Sequence, residues 1–227
     1  MDIIEKFLEY IFIPTCGICG KLEKGYLCPK CEKELAKYII AEKDYITMDR
    51  ANDKKEALQK QLNVEKMHIL KYEDLVRKAI INFKFNDKPY LYKMFSKIIL
   101  KNEKAFNFLK TYDIIIPVPM YGKKKQKRGF NQCELIAREI ARKANLNIYT
   151  DVLIKTKDNK TQSSLTKEER SKNVKNVYKL ANEEKINNKN ILLFDDIYTT
   201  GATTGECVKI ISKAKVNKIG ILTLAKD

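Results

Sequence analysis

The chain has 227 residues, 44% of them hydrophobic, and a formal charge of +16 from 45 basic and 29 acidic side chains. That length suits one α/β domain with a small appendage, and the lack of any run of ~18 apolar residues excludes a membrane-spanning helix. The positive balance favours polyanions, whether phosphorylated small molecules, nucleic acid or anionic lipid; the abundance of Lys, Ile and Asn equally fits a lysine-biased proteome.

The start, Met1-Asp2-Ile3-Ile4-Glu5, lacks the basic n-region of a signal peptide, so a cytoplasmic location is expected. Residues 1 to about 37 read as a short helix, two cysteine knuckles and another short helix. The knuckles are Cys16-x-x-Cys19 and Cys28-x-x-Cys31. Each CxxC places two sulfurs on one side of a tight turn, and two such turns close a tetrahedron around Zn²⁺. Four sulfur ligands leave no open position, so the expected metal is structural. Residues 38 to 66 are irregular and charged. The expected division is a zinc-binding module over 1–40, a linker or irregular segment over 41–66, and the main domain over 67–227. His68, the only histidine, lies in a strand-like piece and reads as structural. Cys133 and Cys207 each read as a small core residue in a helix.

From Tyr72, apolar residues recur at helical spacing through Phe83, and a second helix covers Leu91 to Leu100. Tyr112 to Pro117 is a buried strand stopped by proline. The segment Val118, Pro119, Met120, Tyr121 then leads into Lys123, Lys124, Lys125, Lys127 and Arg128, flanked by Gly122 and Gly129. If the sheet order brings this strand end beside Asp195, the basic run becomes a hinged loop able to close over pyrophosphate. The plainer alternative is a solvated basic loop. An amphipathic helix over Glu134 to Ala144 follows, with Asn131 as cap and Glu134 placed as in a capping box. Further strands are expected near Val152 to Ile154, Ile191 to Phe194 and Ile219 to Leu224. Strands alternating with helices predict a mostly parallel, doubly wound α/β sheet, with ligands beyond the carboxyl ends of the strands.

The most informative stretch is Ile191 to Thr203. Four apolar residues form a buried strand, Asp195 and Asp196 follow, and Thr199, Thr200, Gly201, Ala202 and Thr203 lead into the next helix. Loop amides and a helix N-terminus favour an anion. Thr hydroxyls add donors, and the carboxylates can accept from sugar hydroxyls or help hold a hydrated Mg²⁺. The pattern predicts a site for a phosphate on a sugar. A Walker A loop is excluded, because no Gly-Lys-Ser/Thr triplet occurs.

This stretch resembles the phosphoribosyltransferase signature for phosphoribosyl pyrophosphate (PRPP). The resemblance implies that Asp195 and Asp196 address the ribose and that Thr199 to Thr203 wrap the 5′-phosphate. Pro117-Val118-Pro119, Arg128-Gly129-Phe130-Asn131-Gln132, and Gln162, Leu165, Arg170 and Asn173 together are similar to the ComF family of competence proteins. That resemblance spans nearly the whole chain. It implies a type I phosphoribosyltransferase-like domain behind a four-cysteine zinc module. It also implies a role in natural transformation, moving single-stranded DNA into the cytoplasm alongside other competence-machinery proteins. The acceptor and any catalytic residue stay unknown at this stage. An active phosphoribosyltransferase on a nitrogen base and a PRPP-sensing regulator are the alternatives. For DNA, the basic run and the zinc module's Lys21, Lys24, Lys30 and Lys33 are the two candidate surfaces.

Overall fold

The computed structural model describes residues 15–23, 25–49, 61–86, 88–158 and 173–227. The first expected helix and the positions Gln162, Leu165, Arg170 and Lys24 lie outside these.

Six strands form one mixed sheet. They are β1 (Ile39–Asp49), β2 (Gln61–Lys71), β3 (Ile114–Pro117), β4 (Asn147–Ile148), β7 (Asn190–Tyr198) and β8 (Lys218–Lys226). Their order across the sheet is β1-β2-β8-β7-β3-β4. Only the β1–β2 pair is antiparallel; every other neighbouring pair in this sheet is parallel. The central strands are apolar on both faces, as a sheet covered on both sides requires. Leu192, Phe194, Leu222, Leu224 and Ile115 belong to one core layer. With them pack residues of α2 (Asp74–Phe85), α3 (Leu91–Lys101), α4 (Glu103–Leu109) and α6 (Gln132–Ala144). Ile191, Leu193, Ile219, Ile221, Ile114 and Ile116 form the opposite layer with α7 (Ala202–Ile211). The expected doubly wound α/β architecture is therefore present.

Three expectations are corrected. The stretch read as irregular linker, 41–66, is in large part the hairpin of β1 and β2; residues 50–60 lie outside the described set. Its charges misled because they are cross-strand partners at a sheet edge. Lys43 pairs with Glu65 at 3.2 Å, Lys66 with Asp44 at 2.8 Å and Lys226 with Glu42 at 2.9 Å. Second, β5 (Leu153–Lys155) is not in the main sheet. It pairs antiparallel with β6 (Tyr178–Leu180) in a separate ribbon. Third, the basic run is no loop but a short helix, α5 (Gly122–Arg128), ended by Gly129 at φ 83°.

The cysteine segment shares the larger core. Cys16, Leu27, Cys31 and Leu35 belong to the same buried cluster as Leu91 and Met94. The helix α1 (Pro29–Ala36) begins directly after Cys28, with proline at its first position.

Gly220 sits in mid-strand on β8 because the Tyr112 ring passes directly over it, so that a Cβ there would collide with the phenol. The Tyr112 hydroxyl donates to Glu65 Oε2 at 3.1 Å, which holds the ring in place. Gly220→Ala is expected to cost about 1–3 kcal/mol by overpacking, read by urea unfolding. A Tyr112→Leu background should absorb part of that loss; full additivity of the two changes would contradict the contact.

Candidate functional site

β3 and β7 are parallel neighbours, with Pro117 opposite Phe194. Val118 N donates to the Phe194 carbonyl at 2.8 Å. The sheet order therefore sets the start of the 118–121 segment beside the end of β7, where the acidic pair lies.

β7 runs further than its apolar residues. Asp195, Ile197 and Tyr198 still pair with Thr223, Ala225 and Lys226 of β8. The connection to α7 is only Thr199, Thr200 and Gly201, so Ala202 and Thr203 stand in the first turn of the helix. Gly201 caps α7 at φ 74°, and a Cβ there would strike the Tyr198 hydroxyl. Both facts require glycine. The pocket here is lined by Asp195, Ile197, Tyr198, Thr199, Gly201, Ala202, Thr203 and Thr204. Thr200 is not in the lining; its hydroxyl accepts from the Ala202 amide at 3.4 Å. Thr204, not singled out from the sequence, is; its hydroxyl donates to the Gly201 carbonyl at 3.2 Å.

Asp195 and Asp196 are both 8% exposed. Asp196 Oδ2 meets the Lys84 ammonium at 2.7 Å and accepts from Gln132 Nε2 at 3.2 Å. Burial opposes the Lys84 charge, but Asp196 outweighs it and holds the ammonium pKa above its usual value. Asp195 Oδ1 accepts from the Asp196 amide at 2.9 Å and from the Cys133 thiol at 3.6 Å. Burial first, and the Asp196 charge second, push the Asp195 pKa up to about 7. Burial, with both carboxylates adding, raises the Cys133 thiol well above its usual value. Asp196 is thus the carboxylate paired with a cation, and Asp195 is the one whose proton affinity is raised.

Lys84, Gln132 and Cys133 have no assigned site role from the sequence. Lys84 stands in the last turn of an ordinary amphipathic helix, and Cys133 reads as core. Only Gln132, as the last residue of the Arg-Gly-Phe-Asn-Gln string, carried any signal. Gln132 Oε1 is buried without a hydrogen-bond partner, and Cys133, Asp195 and Asp196 bring ligand atoms within 4.8 Å of one another.

Lys124 pairs with Asp158 at 2.7 Å and Lys125 with Glu134 at 2.8 Å. Arg128 lies over the Phe85 ring, 5.0 Å from its centroid. Lys123 and Lys127 are exposed, and Val118 is buried while Pro119, Met120 and Tyr121 are partly so. Asn131 caps α6 through the Cys133 amide at 3.0 Å. The expected capping box is one-sided: Glu134 turns to Lys125 and Arg138 instead.

The four N-terminal cysteines are all free, with sulfurs within 4.8 Å of one another; Cys19 and Cys28 are 3.7 Å apart. Burial opposes the Cys16 thiolate, yet the amides of Cys19, Cys28 and Ile18 bring its pKa down to about 7. Burial raises Cys31. Four sulfurs so close form a set that could hold a metal ion.

The raised Asp195 pKa carries a stability prediction. The folded state holds this proton more tightly than the unfolded chain, so its contribution falls as pH rises from 3.8 to about 7. Asp195→Asn should match the wild type near pH 4 and exceed it by up to about 4 kcal/mol above pH 8. Urea unfolding across pH measures this; parallel profiles for the two proteins would refute it.

Residues 131–227 match the family model described as phosphoribosyl transferase domain. Competence protein F of Haemophilus influenzae is 26% identical over 90% of this chain and 92% of its own. Competence protein ComFC of Bacillus subtilis is 26% identical over 94% of this chain and 84% of its own. DNA utilization protein YhgH of Escherichia coli K12 is 23% identical over 86% and 83%. With the α/β sheet, the Thr-Gly turn and the cysteine cluster in one molecule, the chain is similar over most of its length to the competence proteins F and ComFC, and its residues 131–227 match a phosphoribosyl transferase domain.

Proposed function

We propose that this chain binds PRPP with Mg²⁺ at the end of β7 and serves natural competence, assisting the entry of single-stranded DNA into the cytoplasm. The observation that carries the reading is the buried Asp195–Asp196 pair followed, a few residues on, by the Gly201-capped N-terminus of α7. The amides of that first turn, with the Thr199 and Thr203 hydroxyls, suit the 5′-phosphate. Asp196, paired with Lys84, suits the ribose hydroxyls. The hard oxygens of the pair suit Mg²⁺, which would supply charge for the pyrophosphate. Arg128, which feels the Asp196 charge, and with it Lys123, Lys124, Lys125 and Lys127 of the same helix, would suit the pyrophosphate itself. The competence role follows from the names of the relatives. Active transfer to a nitrogen base, and PRPP sensing, are the other uses of the same site.

Calorimetry should find PRPP binding that requires Mg²⁺. Asp195→Asn with Asp196→Asn should weaken it by about tenfold or more through lost charge-assisted contacts. Thr203→Val, which leaves Lys84 and its partner untouched, should also weaken it. Unchanged affinity in both variants would overturn the assignment. Pyrophosphate release in a screen of free bases would bring in the enzyme reading.

The cysteine cluster is read as a structural Zn²⁺ site, because soft thiolates at tetrahedral spacing select that ion. Cys16→Ser or Cys28→Ser should lower zinc content and melting temperature together. PRPP affinity of the protein that still folds should stay near wild type. Zinc-free protein after purification without chelator would reject the site.

A further inference from the structure

Of the four exposed large hydrophobics among the described residues, Leu22, Ile39, Phe85 and Ile154, only Phe85 is aromatic, and it is 63% exposed. It is the last residue of α2 and follows Lys84, whose ammonium is 2.7 Å from Asp196. The Arg128 guanidinium covers it at 5.0 Å. This meeting of two elements is anchored from below. Phe83 and Phe85 lie on opposite sides of α2, since two residues turn a helix by about 200°. Phe83 is buried and stacks on Phe130, with centroids 5.6 Å apart and planes at 25°. Phe130 is two residues after Arg128, just as Phe83 is two before Phe85. The stack of buried Phe83 on partly buried Phe130 therefore holds the exposed pair in register. Burial lowers the Arg128 pKa and the Asp196 charge opposes that shift, while the guanidinium stays protonated.

We propose that Phe85 and Arg128 form a stacking platform for a nucleobase at the rim of the acidic-pair site. An aromatic face with a guanidinium plane accepts any base, and the exposed Lys127 on the same helix suits the adjoining phosphate. The base is either one of a single-stranded DNA or a free acceptor base. The inference rests on the PRPP reading for the identity of the neighbouring site, but not for the stack.

The test uses the full chain and two labelled strands of equal length, oligothymidine and an abasic strand, in anisotropy titrations near ~150 mM salt. Wild type should bind oligothymidine roughly tenfold tighter than the abasic strand. Phe85→Ala should abolish that preference and leave both abasic-strand and PRPP affinity in place. Phe85→Trp should keep the preference; Phe85→Leu, apolar but without a ring, should not. A Phe85→Ala loss confined to free adenine, guanine or uracil in the presence of PRPP would assign the platform to an acceptor base. Equal binding of both strands by wild type, with free bases held no better than by Phe85→Ala, would overturn the proposal. A Phe85-dependent preference in protein that binds no PRPP would keep the platform and discard the PRPP reading.

Discussion

Asp195 and Asp196 are consecutive residues of one strand, and both are buried. Two carboxylates so placed cannot both stay ionised without compensation. The surroundings divide the problem unequally. Asp196 receives an ammonium from α2 and an amide from α6, while Asp195 receives a backbone amide and a thiol. One carboxylate thereby has a cationic partner, and the other, without one, is pushed up to about 7. Breaking such a buried pair by removing one partner typically costs about 3–5 kcal/mol. The positions of α2 and α6 around the end of β7 are thus tied to the charge of Asp196.

The same requirement organises the neighbouring segments. Gln132 and Cys133 reach the pair only because Asn131 caps α6 at that point, with its side-chain amide donating to the Val118 carbonyl at 3.1 Å. α5 ends on a left-handed glycine and hands the chain to Phe130, which packs on Phe83 of α2. The Phe83 stack and the Lys84 ion pair are adjacent on one helix end, one apolar and one charged. Together they set α2 against the α5–α6 corner.

Near the N-terminus, a pair of turns gathers four thiols against the same core that supports the sheet. The segment is too short to bury much apolar surface by itself. Leu27 and Leu35 instead join Leu91 and Met94, so the turns are supported from beneath by α3. A metal held there would stabilise a structure already tied to the main domain.

What the residues alone determine here is local. CxxC spacing brings sulfurs together whatever lies around them, and the four thiols expected from it do cluster in space. The apolar run of β7 and the Thr-Gly turn into α7 are likewise set by neighbours in sequence. Tertiary structure decided the rest. β7 continues through its two carboxylates because β8 offers a ladder to pair with. Charged residues at 39–49 and 61–71 make strands because their partners lie across a hairpin. Lys84 becomes the counter-ion of Asp196 only when α2 packs beside β7, a contact between residues far apart in the chain. Periodicity and spacing encode short-range geometry; which charge meets which is known only once the sheet order and helix packing bring distant segments together.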